Sequence, residues 1–481
     1  MYLCTLKLYI CTLYAMRERN NPMTRWLPLL LMLPFLASSC SEDSTVVTYN
    51  DYCYIKSITL GAVKRRVEQR DAQGNVTNVL NTTITGSAFA MTIDQRNLII
   101  ENRDSLPYGC QLSAVLATIA FDGSVLTYRV KGSDNEWLAY NSTDSLDLTK
   151  PLELHLTSND SQSSRTYTFR VNVHKQEGDS LYWTKCESEV TPLTGMTDMK
   201  AFLLNKKLMV LGQKTSGIVL AERSGLEAEG TWEEAATAGL PLAADLQTLR
   251  QQGGTLYIST TDGNILSSTD AKTWQQEGST HTAALTLIEK TEKYYYALSG
   301  GKLLRSTDAS TWEDDKLDTK ADSLPDANIR ALTLQQTNGS NRIVMLGQRK
   351  DCSNTVVWNK MWNNGWECFE KDAEWTYFLF SPDNMIPCPR LHYLNLIHYD
   401  GKCVTFGGAS LDDSHKALDA MYVSQDYGIT WRPSTDIHLP VELKGADGCI
   451  TSTVDENYFI WIITNAQVWR GRLNRLGFAH Q

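Results

Sequence analysis

The side chains in this sequence that could do chemistry are its carboxylates, histidines, arginines and tryptophans. Hydrolysis of a glycosidic bond needs two carboxyl groups about 5 to 9 Å apart. The chain carries 55 acidic residues, so solvated loop acids alone will supply such pairs, and no pair is singled out by its context. A metal site needs two or three converging ligands. His392 and His398 are an even number of residues apart, which in one strand places them on one face, and His415 follows Asp412-Asp413. The plain reading is a set of surface histidines, and no metal or other cofactor is expected. The stretch 409–417 reads as a long loop, and loops positioned by a rigid scaffold carry function. His392, Asp412 and Asp413 are therefore the expected binding rim. Trp358, Trp362 and Trp366 crowd one hairpin. Exposed indoles would suit a sugar face and buried ones a core; core is expected. Arg250, Arg330, Arg390 and Arg432 are scattered without context. No phosphate-binding glycine loop, nucleophile elbow or HExxH helix is present, and no catalytic residue is assigned.

The elements that would position these groups are organised around Ser424-Gln425-Asp426-Tyr427-Gly428-Ile429-Thr430-Trp431. Two shorter copies lie upstream, from Ser268 through Asp270 to Trp274 and from Ser306 through Asp308 to Trp312; each lacks one turn residue and the glycine. An Asp in such a turn accepts hydrogen bonds from backbone N–H groups two or three residues on. The Thr leads back into a strand, and the Trp covers the hairpin with an apolar ring. The stretch resembles the Asp box of sialidase-type β-propellers. That resemblance implies structural roles for these residues on the blade periphery. Sialidases of this fold also carry a Phe-Arg-Ile-Pro-like segment, and none occurs here.

Indole-marked strand starts recur at Trp183, Trp232, Trp274, Trp312, Trp366 and Trp431, and three short apolar runs precede most of them. In the second unit the runs are 246–249, 256–259 and 265–267; in the sixth they are 449–451, 459–463 and 468–470. Three strands plus an outer Trp strand make a four-stranded blade, at a propeller-like period. The last unit lacks an outer strand, and Leu181-Tyr182-Trp183-Thr184-Lys185 has no inner strands before it. Joining the two removes two open sheet edges. A six-bladed β-propeller over 179–478, closed by its N-terminal strand, is predicted. Gly407-Gly408 after Cys403-Val404-Thr405-Phe406 is similar to a kelch repeat.

Residues 51–178 show period-two alternation at Phe89, Met91 and Ile93, at Leu152, Leu154 and Leu156, and at Tyr167, Phe169 and Val171, with turn residues between such runs. This predicts a β-sandwich, and the closing run from Arg165 resembles the last strand of cadherin-like or immunoglobulin-like modules. Ahead of it, Met23 reads as the true start, Trp26 to Ala37 as a short apolar segment of a signal peptide, and 41–50 as a tether. Ala37-Ser38-Ser39-Cys40 resembles a bacterial lipobox, with Leu36 one position further out than the usual pattern. The expectation is cleavage and acylation at Cys40, so that residues 1–40 are removed apart from that cysteine. No CxxC pair occurs. Cys352 and Cys368 flank one hairpin, but their pairing cannot be read from spacing.

The whole is an all-β protein of formal net charge -10, and nothing favours nucleic acid as a partner. The layout resembles a Bacteroidetes lipoprotein family of unknown function, a sandwich followed by a six-bladed propeller. The resemblance implies an outer-membrane lipoprotein at the cell surface, with the periplasmic face as the alternative. Ser105, Ser145, Ser180 and Ser323, each after Asp and before Leu, resemble the O-glycosylation acceptors of exported proteins of that group. The expected function is non-enzymatic. A stalk would carry a propeller that recognises a glycan or an envelope protein. The alternative is a divergent sialidase-like hydrolase using the propeller funnel.

Overall fold

The structure is a computed structural model that describes residues 50–70, 76–335, 340–362, 373–378, 386–409, 411, 416–446, 448–465 and 467–478. Cys40, Cys368, Trp366, Asp412, Asp413 and His415 lie outside the described residues. Among the described residues the chain is built of strands and short 3₁₀ turns.

In the N-terminal part, Tyr54–Leu60, Val115–Asp122 and Ser145–Leu146 form one sheet. A second sheet runs in the order Met91–Asp94, Ile99–Asn102, Ser164–Phe169, Leu152–Thr157, Val125–Val130, Leu138–Ala139. The alternation is physical: Val115, Ala117 and Ile119 are buried while Leu116, Thr118 and Ala120 point out. One apolar core draws Ile55, Ile58 and Ile119 from the first sheet and Leu154, Tyr167 and Phe169 from the second. Ala62–Arg70 and Val76–Thr85 add a separate two-stranded hairpin. Its polar sequence gave no apolar alternation, and sequence reasoning missed it.

The C-terminal part holds six four-stranded antiparallel sheets. The first is Asp198–Leu204, Lys207–Lys214, Gly217–Arg223 and Trp232–Ala236. The second is Arg250–Gln252, Thr255–Ser259, Ile265–Ser268 and Gln275–Glu277. The third is Thr286–Lys290, Tyr295–Ser299, Lys302–Ser306 and Glu313–Asp314. The fourth is Ala327–Gln335, Asn341–Gln348, Val356–Trp362 and Thr376–Phe378. The fifth is Asn395–Tyr399, Lys402–Phe406, Tyr422–Ser424 and Arg432–Pro433. The sixth is Ile450–Val454, Ile460–Thr464 and Val468–Leu473, with Leu181–Glu187 as its outermost strand. In that last pairing Trp183 stands opposite Gly471 and Lys185 opposite Trp469.

Two details differ from the sequence expectation. The run 246–249 is not a strand: Leu246–Thr248 is a 3₁₀ turn, because Asp245 caps it by accepting from the Gln247 N–H, and the strand starts only at Arg250. The outer strand of the fourth sheet starts at Thr376, so the indole just ahead of it is Trp375; Trp366, expected to mark that strand, lies outside the described residues. Trp375 is fully buried and donates to Asp315 at 2.8 Å, which ties it to the preceding sheet.

Neighbouring sheets are held by apolar packing. Each adjacent pair shares a cluster, for example Phe202, Leu211 and Leu256 between the first and second, or Met199, Val210 and Trp461 between the sixth and first. The first strands of successive sheets lie side by side, and that of the sixth returns to that of the first. Between the first and second sheets the neighbour is the Leu246–Thr248 turn.

The S-x-D hairpins sit far from those first strands, at the third-to-outer strand turns. Asp270 accepts from the N–H groups of Lys272 and Thr273 at 2.8 Å each. Asp308 does the same with Ser310 and Thr311. In the longer copy Asp426 accepts from the Thr430 N–H at 2.9 Å and its hydroxyl at 2.6 Å. The bend requires a left-handed residue, which is Ala271 (φ 62°) and Ala309 (φ 54°) in the short copies, and Tyr427 with Gly428 in the long one. Ser268, Ser306 and Ser424 each donate to the Asp of their own hairpin. Trp274 and Trp431 are buried and donate to the carbonyls of Ala271 and Gly428. Trp312 is half-buried, and its indole N–H has no acceptor among the described residues.

Candidate binding site inside the ring of first strands

Of the expected rim, only His392 can be placed. It is exposed in the turn before Asn395–Tyr399, and its backbone bonds with Gly408 and Ala409. Since the strand begins at Asn395, His392 and His398 do not share a strand face. Trp358 and Trp362 are buried. Ser145 is exposed, while Ser105, Ser180 and Ser323 are half-buried. Ser323 lends its carbonyl to the Trp358 indole at 3.1 Å. Arg390 precedes the fifth sheet and Arg432 lies on its outer strand, while Arg250 and Arg330, on the first strands of the second and fourth sheets, both act on Lys200.

They meet because polar groups on the first strands, and on the turn that precedes the second sheet, stitch each sheet to the next. Gln247 donates to Asp198 Oδ1 at 2.7 Å, joining second to first. Arg250 donates through Nε to the Ile288 carbonyl, joining second to third. Thr333 donates to Glu289 Oε2 at 2.7 Å, joining fourth to third. Arg330 donates through Nε to the Leu394 carbonyl at 2.7 Å, joining fourth to fifth. Asn395 donates to the Ile450 carbonyl at 3.2 Å, joining fifth to sixth. The Ala201 N–H donates to Thr451 Oγ1 at 2.9 Å, joining first to sixth. The circuit explains why charged and amide groups line an otherwise apolar assembly: each satisfies a buried backbone group or a partner side chain.

Lys200 is the exception. It lies on the same first strand as Asp198, is half-buried, and forms no side-chain hydrogen bond or ion pair among the described residues. Its side chain lines a cavity of about 290 Å³ together with Arg250, Gln251, Gln252, Glu289, Thr333 and Trp362. Burial, reinforced by the Arg250 and Arg330 guanidinium groups, brings the Lys200 amine down to about 7, against the pull of Asp198 and Asp245. Burial also brings Arg330 down to about 10 and raises the carboxyls of Asp198 and Glu289 above the usual carboxylate range. A half-charged amine at neutral pH beside two guanidinium groups can hold an anion. Such perturbed groups cluster at functional sites.

None of these residues except the two arginines was singled out from sequence. A signal existed: Lys200 precedes Ala201-Phe202, Arg250 follows Leu249, Glu289 follows Leu287-Ile288 and Arg330 follows Ile329. In four of the six units a charged residue borders or interrupts the first apolar run.

Residues 177–481 match the family model described as the DUF6242 beta propeller domain, and residues 58–171 match the DUF6242 N-terminal domain, a domain of unknown function. None of the curated proteins matches the chain. Among solved structures it is similar to the GH93 α-L-arabinofuranosidase of Fusarium graminearum with arabinobiose, at 12% identity over 61% of this chain and 98% of that one, with a TM-score of 0.35. It is similar to YjhT at 10% identity, over 60% and 96%, with a TM-score of 0.39. It is also similar to YCF48 from Cyanidioschyzon merolae at 12% identity, over 60% and 98%, with a TM-score of 0.31. Likenesses this slight carry no argument about activity.

Proposed function

The chain belongs to the DUF6242 family, whose C-terminal domain is a β-propeller, and from that premise we propose that it is a binding protein whose propeller is the recognition head. In this reading the six four-stranded sheets are the blades of one ring, and Leu181–Glu187 closes it. The N-terminal domain is an Ig/cadherin-like stalk. The S-x-D hairpins are Asp boxes with a structural role, and acylated Cys40 anchors the protein in the outer membrane of a bacterium of the Bacteroidetes. The recognised partner is a glycan or an envelope protein. The observation that carries the reading is the Lys200 amine, which lines a polar cavity with no partner of its own among the described residues. The charged groups nearest it, Arg250, Glu289 and Arg330, each make bonds that join one sheet to the next, and Lys200 makes none among the described residues.

A second reading, a divergent glycan hydrolase, draws support from Glu289. Its carboxyl is buried in the cavity wall and held above the usual carboxylate range by that burial, as a general acid would be. The test is a glycan array with the purified chain, followed by incubation of every binder and analysis of products. Binding without turnover supports a recognition head. Turnover abolished by Glu289→Gln supports the hydrolase. Neither binding nor turnover, together with capture of a specific envelope protein by cross-linking in cells, would move the partner from glycan to protein. For the anchor, metabolic labelling with a palmitate analogue should mark the chain, and Cys40→Ala should abolish the label; unchanged labelling refutes it.

A further inference from the structure

We propose that the cavity within the ring of first strands binds the carboxylate of an acidic sugar, with the Lys200 ammonium and the free edge of the Arg250 guanidinium holding the anion. This rests on the propeller being a recognition head, and it names the chemical class of the ligand.

Three observations lead there. The first is charge. The cavity wall contains Lys200, Arg250 and Lys290 against one carboxylate, Glu289. Both Glu289 oxygens are engaged, Oε1 by the Lys290 N–H at 2.9 Å and Oε2 by Thr333 at 2.7 Å. The wall therefore carries more positive than negative charge, and a bound anion would offset it. The second is unused donor capacity. Arg250 commits Nε to the Ile288 carbonyl and Nη1 to the carbonyls of Gln247 and Leu249. Its Nη2 and the whole Lys200 ammonium have no acceptor among the described residues. A carboxylate accepts such donors in charge-assisted bonds. The third is size and lining. About 290 Å³ is far more than a carboxylate fills, and it sits at the lower edge of small-molecule sites, which span about 300–1,000 Å³. The rest of the wall offers the carboxamides of Gln251 and Gln252, which make no side-chain bond among the described residues, and the apolar flank of buried Trp362. Amide groups and an indole suit the hydroxyls and the ring of one sugar.

The groups facing Lys200 set the pH response. Arg250 and Arg330 oppose its charge, Asp198 and Asp245 favour it, and Glu289 shares the cavity. The free amine titrates at about 7, so anion binding should weaken as pH rises through and beyond that value.

The experiment is calorimetric titration of the purified chain with glucuronate, galacturonate and N-acetylneuraminate, with glucose and galactose as neutral controls, and with inorganic phosphate and sulfate. At least one acidic sugar should bind at pH 6, its neutral counterpart at least about tenfold more weakly, as expected from loss of one charged hydrogen bond. Affinity should fall between pH 6 and pH 8.5. Lys200→Met should weaken binding by about tenfold to a hundredfold and flatten the pH dependence, with an unchanged far-ultraviolet spectrum to show that it folds. Lys200→Arg, which keeps the charge at all pH values, should restore binding at pH 8.5. Phosphate or sulfate binding as tightly as the sugars would overturn the sugar assignment. Binding of no acidic sugar, or undiminished binding by Lys200→Met, would overturn the inference. Glycans that bind equally well to Lys200→Met would leave the recognition head standing while removing this site.

Discussion

Replacing Lys200 by Met should stabilise the protein, and by an amount that depends on pH. The folded state brings this amine from 10.5 to about 7, chiefly through burial and then through Arg250 and Arg330. A depressed lysine disfavours folding wherever the unfolded chain binds the extra proton. The penalty is present in full below pH 7, shrinks as pH rises towards 10.5, and is gone above it. Each pH unit across that window is worth about 1.4 kcal/mol, which sets a ceiling on the order of 5 kcal/mol. The amine is only half-buried, and water in the cavity relaxes around it, so roughly 1–3 kcal/mol is the expected gain. Met keeps the length of the stem and introduces no charge. Urea unfolding followed by indole fluorescence reports mainly the C-terminal domain, since Trp137 is the one indole between residues 50 and 178. The variant should be more stable than the parent at pH 6, with the difference vanishing near pH 10. A variant that is less stable at pH 6, or one whose gain is the same at every pH, would refute the electrostatic account of this cavity.

Three further outcomes follow from the packing. A Cβ on Gly471 would lie 2.6 Å from the Trp183 indole on the strand from the start of the domain, so Gly471→Ala should cost about 1–3 kcal/mol by overpacking; adding Trp183→Ala should remove most of that cost in a double-mutant cycle. The Asp308 carboxylate is held at about 2, chiefly by the backbone N–H groups of Thr311 and Ser310. Its contribution is present above the ordinary carboxylate range and lost as pH falls towards 2, and Asp308→Asn should unfold more easily at neutral pH and show a shallower acid dependence. Burial pushes the Cys403 and Cys449 thiols to about 12 and Cys388 higher still, so none of the three should react with a disulfide reagent at pH 8 until the protein unfolds.

The outer parts of this fold are legible because they are local. A Ser-x-Asp turn followed by Thr and Trp satisfies its own backbone within seven or eight residues, so sequence alone carries it. The apolar runs are equally local, and they locate most strands of the six sheets. Reading failed where a tertiary or capping contact decides. The run 246–249 is apolar enough for a strand, yet Asp245 turns it into a 3₁₀ segment. The outer strand of the fourth sheet takes Trp375 because that indole can reach Asp315, a partner sixty positions away. The hairpin of Ala62–Arg70 and Val76–Thr85 has few apolar side chains to betray it.

The candidate site was illegible for a stronger reason. Lys200, Arg250, Glu289 and Arg330 each belong to a different sheet, and nothing in the spacing of four charges along the chain says that they face one space. They converge only when the first strands close on one another. Once they do, the hydrogen-bond circuit separates structural charges from the remainder. Arg330 and Glu289 are consumed in joining sheets, and Arg250 mostly so. Lys200 joins nothing, opposes two guanidinium groups and loses hydration. Folding stability gives no reason for an ammonium at that position, since an apolar side chain of the same length would serve better. A local cost with no local compensation points to a role outside the fold, and the chemistry of the surrounding wall says that the role is to meet an anion.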